Sequence, residues 1–141
     1  MKRNVVLAAL LGAFLVLPAT AFAGVVAQID LSSQRMHVFV NGKSTYTWKV
    51  STARRGYRTP TGTYKPYHLA RRHYSSIYNN SPMPHSIFFK GGYAIHGSYE
   101  TKHLGRPVSH GCIRLHPSNA ARLFSLVQKY GNSNTTIRIT H

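Results

Sequence analysis

Acidic residues are almost missing from this sequence. Among 141 residues the only acids are Asp30 and Glu100, against 18 Lys and Arg, and the formal net charge is +16. That shortage weighs against a zinc hydrolase, which generally uses a carboxylate as its base. Cysteine is scarcer still: Cys112 stands alone, so an intramolecular disulfide is excluded. No apolar run reaches the roughly 20 residues that span a bilayer as a helix. The longest runs from Val5 to Leu17. Internal repeats and low-complexity linkers are absent, which points to one folded domain.

The Val5–Leu17 run follows Lys2 and Arg3 and precedes Ala21-Phe22-Ala23. A charged start, an apolar centre and a small-x-small site make a secretory signal peptide. Residues 1–23 are therefore expected to be cleaved, rather than kept as a membrane anchor. Removing those 23 residues from 141 leaves 118, residues 24–141, enough for one domain with its own core. Losing Lys2 and Arg3 lowers the formal charge from +16 to +14. Such a protein dwells on polyanions. An export signal argues against intracellular nucleic acid and leaves anionic lipid or an acidic wall polymer.

Short β-prone pieces fill most of the remaining chain. Val25–Leu31 and Arg35–Val40 read as strands, and Asn41-Gly42 marks a hairpin into Lys43–Val50. Thr59-Pro60-Thr61-Gly62 punctuates the chain before TYKPY. Residues His68–Pro84 are basic and Tyr-rich without a clear period, so they read as a long loop. Ser86–Lys90 and Tyr93–Gly97 are strand-like around Gly91-Gly92. HPSNAARLFSLVQKYG reads as the one good helix, capped by Ser118 and ended by Gly131, with Leu123, Phe124, Val127 and Tyr130 on one face. Thr135–Thr140 closes as a strand. The fold class is mainly β with one helix in the C-terminal half.

Cys112 lies in SHGCIRLH, Ser109 to His116. A lone thiol in an exported protein is buried and inert, an intermolecular link or a free nucleophile. A nucleophilic thiol needs a base within reach and donors where an oxyanion develops. His96, His103, His110 and His116 are the candidate bases. His110 is too near in sequence for a collinear bond to Cys112. His96 ends the apolar strand YAI, a rigid mount for a base. Gly111 permits a tight turn that exposes sulfur and gathers backbone N–H groups. Neither acid is well placed to complete a triad, so a backbone carbonyl is expected to orient the base. The competing reading is a zinc site made of His110, Cys112 and His116 with His96 or His103. His37, His68, His73, His85 and His141 read as solvated surface.

Three blocks resemble a known family. TPTG at Thr59–Gly62, MPHSIFFKGGYAIHG at Met83–Gly97 and SHGCIRLHPSNAARLF at Ser109–Phe124 look like the L,D-transpeptidase (YkuD-like) catalytic domain. The resemblance implies a β-sandwich of mixed sheets with the site at the end of the sheets. It implies Cys112 as nucleophile and His96 as base, with the Gly97 carbonyl holding the imidazole. N–H groups around His110, Gly111 and Cys112 would form the oxyanion hole, with Ser109 supporting the site. Arg114 would shape the site or hold a substrate carboxylate. No metal or other cofactor is implied. The implied substrates are peptidoglycan stem peptides, attacked at the diaminopimelate carbonyl with loss of D-alanine. The acceptor would be a second diaminopimelate, an outer-membrane lipoprotein lysine or a D-amino acid. Water as acceptor would give an L,D-carboxypeptidase or a lipoprotein-detaching amidase instead. A third reading is a non-catalytic cationic wall-binding protein with a structural Cys112. Periplasmic location is expected, with the outer face of a Gram-positive cell as the alternative. The surrounding cations are expected to lower the Cys112 pKa, carbapenem-like β-lactams to acylate it, and the Arg71–Pro84 loop to form a lid.

Overall fold

The computed structural model describes residues 12–17 and 23–141. The expected signal peptide falls largely outside the described residues. No helix among the described residues is long and apolar enough to cross a membrane.

Alternation builds the first sheet. In β1 (Val25–Asp30) the residues Val25, Ala27 and Ile29 are buried while their neighbours are half-exposed. β2 (Arg35–Val40) pairs with it antiparallel, burying Met36 and Val38. The Asn41-Gly42 turn, with φ of 51° and 78°, then leads into β3 (Lys43–Lys49). Two consecutive positive φ values are what a tight primed hairpin turn requires. β9 (Thr135–Thr140) lies parallel to β1, and the short β4 (Gly62–Tyr64) flanks it, giving the order β3-β2-β1-β9-β4.

The second sheet has the order β5-β6-β7-β8. Its strands are β5 (His68–Ala70), β6 (Ser86–Lys90), β7 (Tyr93–Gly97) and β8 (Ile113–Leu115). β7 and β8 are parallel, pairing Ile95 with Ile113 and His96 with Arg114. Both sheets are thus mixed, and the fold is mainly β. Val25, Ile29, Val38 and Ile137 of one sheet and Ile87, Phe89, Ile95 and Leu115 of the other share a single core. Helix α1 (Pro117–Tyr130) adds Ala120, Leu123, Phe124 and Val127 to it.

Two local expectations need correction. The helix cap is His116, not Ser118: its Nδ1 accepts the Ser118 N–H at 3.2 Å. Pro117 has no N–H to offer and takes the first helical position, so the cap lies two residues earlier than expected. The segment His68–Pro84 is also not a bare loop. It begins with β5 and continues as a paired arm. The His85 N–H donates to the Arg71 carbonyl, Met83 to His73 and Ser75 to Ser81, at 2.8–2.9 Å. Asn79 and Asn80 turn its tip, with φ of 49° and 53°.

Candidate active site

The parallel β7–β8 pair sorts residues by face. Ile95, Ile113 and Leu115 point into the shared core. Ala94 and His96 on β7, with Arg114 on β8 and Cys112 just ahead of it, lie on the opposite face. There Ala94 packs with Met83 and Phe88, and half-buried Cys112 lies against this second small cluster. Met83 belongs to the arm, so the arm covers the thiol's side of the sheet.

His96 is buried, and its Nδ1 lies 2.7 Å from the Gly97 carbonyl oxygen. That contact makes Nδ1 the protonated nitrogen and leaves Nε2 with a lone pair, the form that accepts a proton. Gly97 is held in turn: its N–H donates to the Pro84 carbonyl at 2.8 Å. A Cβ there would stand 3.1 Å from Pro84 and 3.2 Å from Pro117. Burial pushes the His96 pKa from 6.5 down to about 4, against the opposing pull of the Gly97 carbonyl and with help from the Arg114 and His73 charges.

Cys112 departs from expectation. Burial raises its pKa, outweighing the Ala94 backbone N–H and the Arg114 cation, which both lower it. Counting cations in the sequence missed the desolvation of the sulfur. Resting thiol and resting imidazole are therefore both neutral. Sγ lies 3.8 Å from the Gly92 carbonyl oxygen, and no hydrogen bond links it to His96 among the described residues.

The turn carrying Cys112 is clamped from several sides. Ser109, almost fully buried, donates its hydroxyl to the Cys112 carbonyl at 2.7 Å and accepts the Gly111 N–H at 3.0 Å. The Gly111 N–H is thereby occupied. Among the described residues, the N–H groups of His110 and Cys112 have no acceptor. Thr59 Oγ1 donates to the Gly111 carbonyl at 2.8 Å while accepting the Ala53 N–H at 3.0 Å. Backbone bonds join Ser109 to Thr52 and Arg54, and Arg114 to Ser51. Buried Gln34 fixes Thr52 through both ends of its amide. Thr59, Thr52 and Gln34 were not singled out as site residues from the sequence. Only TPTG drew attention to Thr59, and then as a turn.

His110 turns outward. Tyr78, at the arm tip, stacks on it at 4.0 Å, and Tyr57 meets it edge-on at 4.8 Å. Burial and the nearby Arg54 and Arg114 charges lower its pKa. The possible zinc ligands are not brought together: among the described residues no three His, Cys, Asp or Glu side chains form such a group. His116 Nδ1 caps the helix, and His103 Nδ1 meets Arg106 at 3.0 Å.

The buried neutral His96 has a measurable consequence for stability. The unfolded chain takes up this proton near pH 6.5, but the folded chain only near pH 4. Stability is therefore fully present above about 6.5 and falls as pH drops toward 4. A gap of that size is worth about 3 kcal/mol. Chemical denaturation midpoints should fall between pH 7 and pH 4.5, and His96→Gln should remove most of that dependence. Midpoints that stay level in the wild type would contradict a buried neutral imidazole.

Fold and site define a class of protein: a mixed β-sandwich that presents one free thiol and a carbonyl-anchored imidazole on the same sheet face. The model of the L,D-transpeptidase catalytic domain (YkuD) matches residues 24–139, and the chain belongs to this family. An L,D-transpeptidase from Mycobacterium smegmatis superposes with a TM-score of 0.74 at 22% identity, covering 84% of this chain and 59% of that one. One from Stackebrandtia nassauensis gives 0.72 at 26% identity, covering 84% and 56%. The LD transpeptidase LdtMt1, in complex with imipenem, gives 0.72 at 22% identity, covering 83% and 59%. The chain thus spans less than two thirds of the length of these proteins. Comparison with curated proteins found no match.

Proposed function

We propose that this protein is an exported L,D-transpeptidase that transfers acyl groups between peptidoglycan stem peptides through a thioester on Cys112. One observation carries the reading: the only thiol in the chain shares a sheet face with a buried imidazole whose Nδ1 is tied to the Gly97 carbonyl. Family membership and the imipenem complex of a structural relative support it.

The chemistry follows from the two neutral groups. Sγ turns from the Gly92 carbonyl toward His96. Nε2 takes the thiol proton as sulfur attacks the carbonyl of diaminopimelate. The N–H groups of His110 and Cys112, which have no acceptor, face the developing oxyanion. Collapse breaks the peptide bond, and His96 returns its proton to the departing D-alanine nitrogen. An acceptor amine then attacks the thioester carbon, and His96 passes that amine's proton to the released sulfur. The arm from Arg71 to His85 keeps water from the thioester. Arg114 binds a substrate carboxylate. Residues 1–23 supply the export signal, and the periplasm is the site of action. The positive charge of the remaining chain holds it to an acidic wall polymer.

The test is mass spectrometry of the protein with a disaccharide-tetrapeptide, with and without D-methionine, beside Cys112→Ala. Loss of D-alanine with D-methionine incorporated, or a cross-linked dimer, is expected and must depend on Cys112. Tripeptide alone would replace the transferase by an L,D-carboxypeptidase. No Cys112-dependent product would defeat the reading.

A further inference from the structure

An acceptor amine is an ammonium ion at neutral pH, and it must enter a strongly cationic site. Arg54 lies over Tyr57 beside His110, and Arg114 shares the face of Cys112 and His96. Each repels it. Of the two acids in the chain, Asp30 is spent in its own turn, accepting from Ser32 and Ser33. Glu100 is the other, three residues beyond the carbonyl that holds His96.

Glu100 reaches into this site through a single contact. Its Oε2 lies 3.2 Å from Arg114 Nη1, and no second oxygen–nitrogen contact joins the pair. The Arg114 side chain is only 19% exposed, whereas that of Glu100 is 68% exposed. A one-point ion pair with an exposed carboxylate is screened by solvent, so it does little to hold the fold. It does present a solvent-exposed carboxylate beside a largely buried guanidinium at the end of the catalytic strands.

We infer that the Glu100–Arg114 pair is the acceptor subsite, opened by a ligand that carries an ammonium next to a carboxylate. Glu100 receives the ammonium and Arg114 the carboxylate, so one zwitterion replaces the internal pair. The D-centre of diaminopimelate and free amino acids both have this chemistry. Once bound, the ammonium gives one proton to solvent. Its nitrogen then attacks the thioester carbon, and His96 moves the second proton to the leaving sulfur. Glu100 therefore decides between transfer and hydrolysis: without it the cationic rim excludes the amine but not water.

The inference rests on the acyl-transfer reading, and the experiment separates the two. The full chain, Glu100→Gln, Glu100→Asp and Asp30→Asn are given the disaccharide-tetrapeptide and a series of D-methionine concentrations. The ratio of D-methionine product to tripeptide is measured in each. Glu100→Gln should raise the acceptor KM and lower the ratio about tenfold, the loss of one charge-assisted contact. Glu100→Asp should restore most of it. Asp30→Asn, with the same change of net charge, should match the wild type. An unchanged ratio in Glu100→Gln, or an equal fall in Asp30→Asn, would overturn the subsite while leaving the transferase intact. A wild type that makes only tripeptide, or no product, would overturn both.

Discussion

His96→Gln should slow acylation of Cys112 by a carbapenem about a thousandfold at pH 7, within the usual range for loss of a general base. The reason lies in the protonation states. Were Cys112 a resting thiolate, removing its neighbour would matter little to attack. Burial instead keeps the thiol neutral and pushes His96 down to about 4. The proton must leave during attack, and glutamine cannot take it. The pH profiles should differ accordingly. Wild-type acylation should be flat from about pH 5 to 8, because His96 is already neutral throughout that window. In His96→Gln the rate should climb about tenfold per pH unit, following the small thiolate fraction. Time-resolved mass spectrometry of the adduct measures both. A variant within a few-fold of wild type at pH 7, or a wild type whose rate climbs steadily with pH, would sink the neutral-pair mechanism.

Gly111→Ala should be nearly as damaging, for a steric reason. Gly111 has φ of 138°, where side chains are rarely tolerated. Its Cβ would lie 2.7 Å from Tyr93 Cε1 and 3.0 Å from the Arg58 carbonyl oxygen. The turn cannot simply swing aside, because Ser109 and Thr59 bind it from both ends. Strain and overpacking together should cost about 3 kcal/mol. For a domain of this size the melting temperature should fall by about 10 °C. The turn carries both the proposed nucleophile and the free N–H donors, and a displacement near 1 Å costs about a hundredfold in rate. Thermal unfolding and the adduct rate should therefore fall together. If either stays at the wild-type value, the clamped turn is wrongly described.

Much of this architecture is written locally. Alternation in VVAQID and TTIRIT, the Asn41-Gly42 turn and the apolar stripe of the helix each follow from short-range rules. Cys112 and His96 stand out because a lone thiol and a strand-end histidine are visible without coordinates. What stayed hidden depends on distance along the chain. The arm pairs His73 with Met83 but leaves Tyr74, Ile77 and Tyr78 exposed, so no alternation of polarity marks it. Thr59 meets Gly111 across 52 positions, and Gln34 meets Thr52 across 18. No local pattern encodes such bonds. The Cys112 pKa failed for a related reason: charge can be counted in a sequence, but burial cannot.

The Cys112 sulfur has one more consequence, which concerns its survival. Oxidants and disulfides react with thiolates, and the burial that raises the Cys112 pKa leaves few of them. In the oxidising compartment that the proposed export implies, a lone cysteine would otherwise drift toward sulfenic acid or a mixed disulfide with whatever thiol passes by. On the proposed mechanism, a neutral thiol that His96 arms only when an acyl donor arrives is long-lived without a second cysteine to restore it.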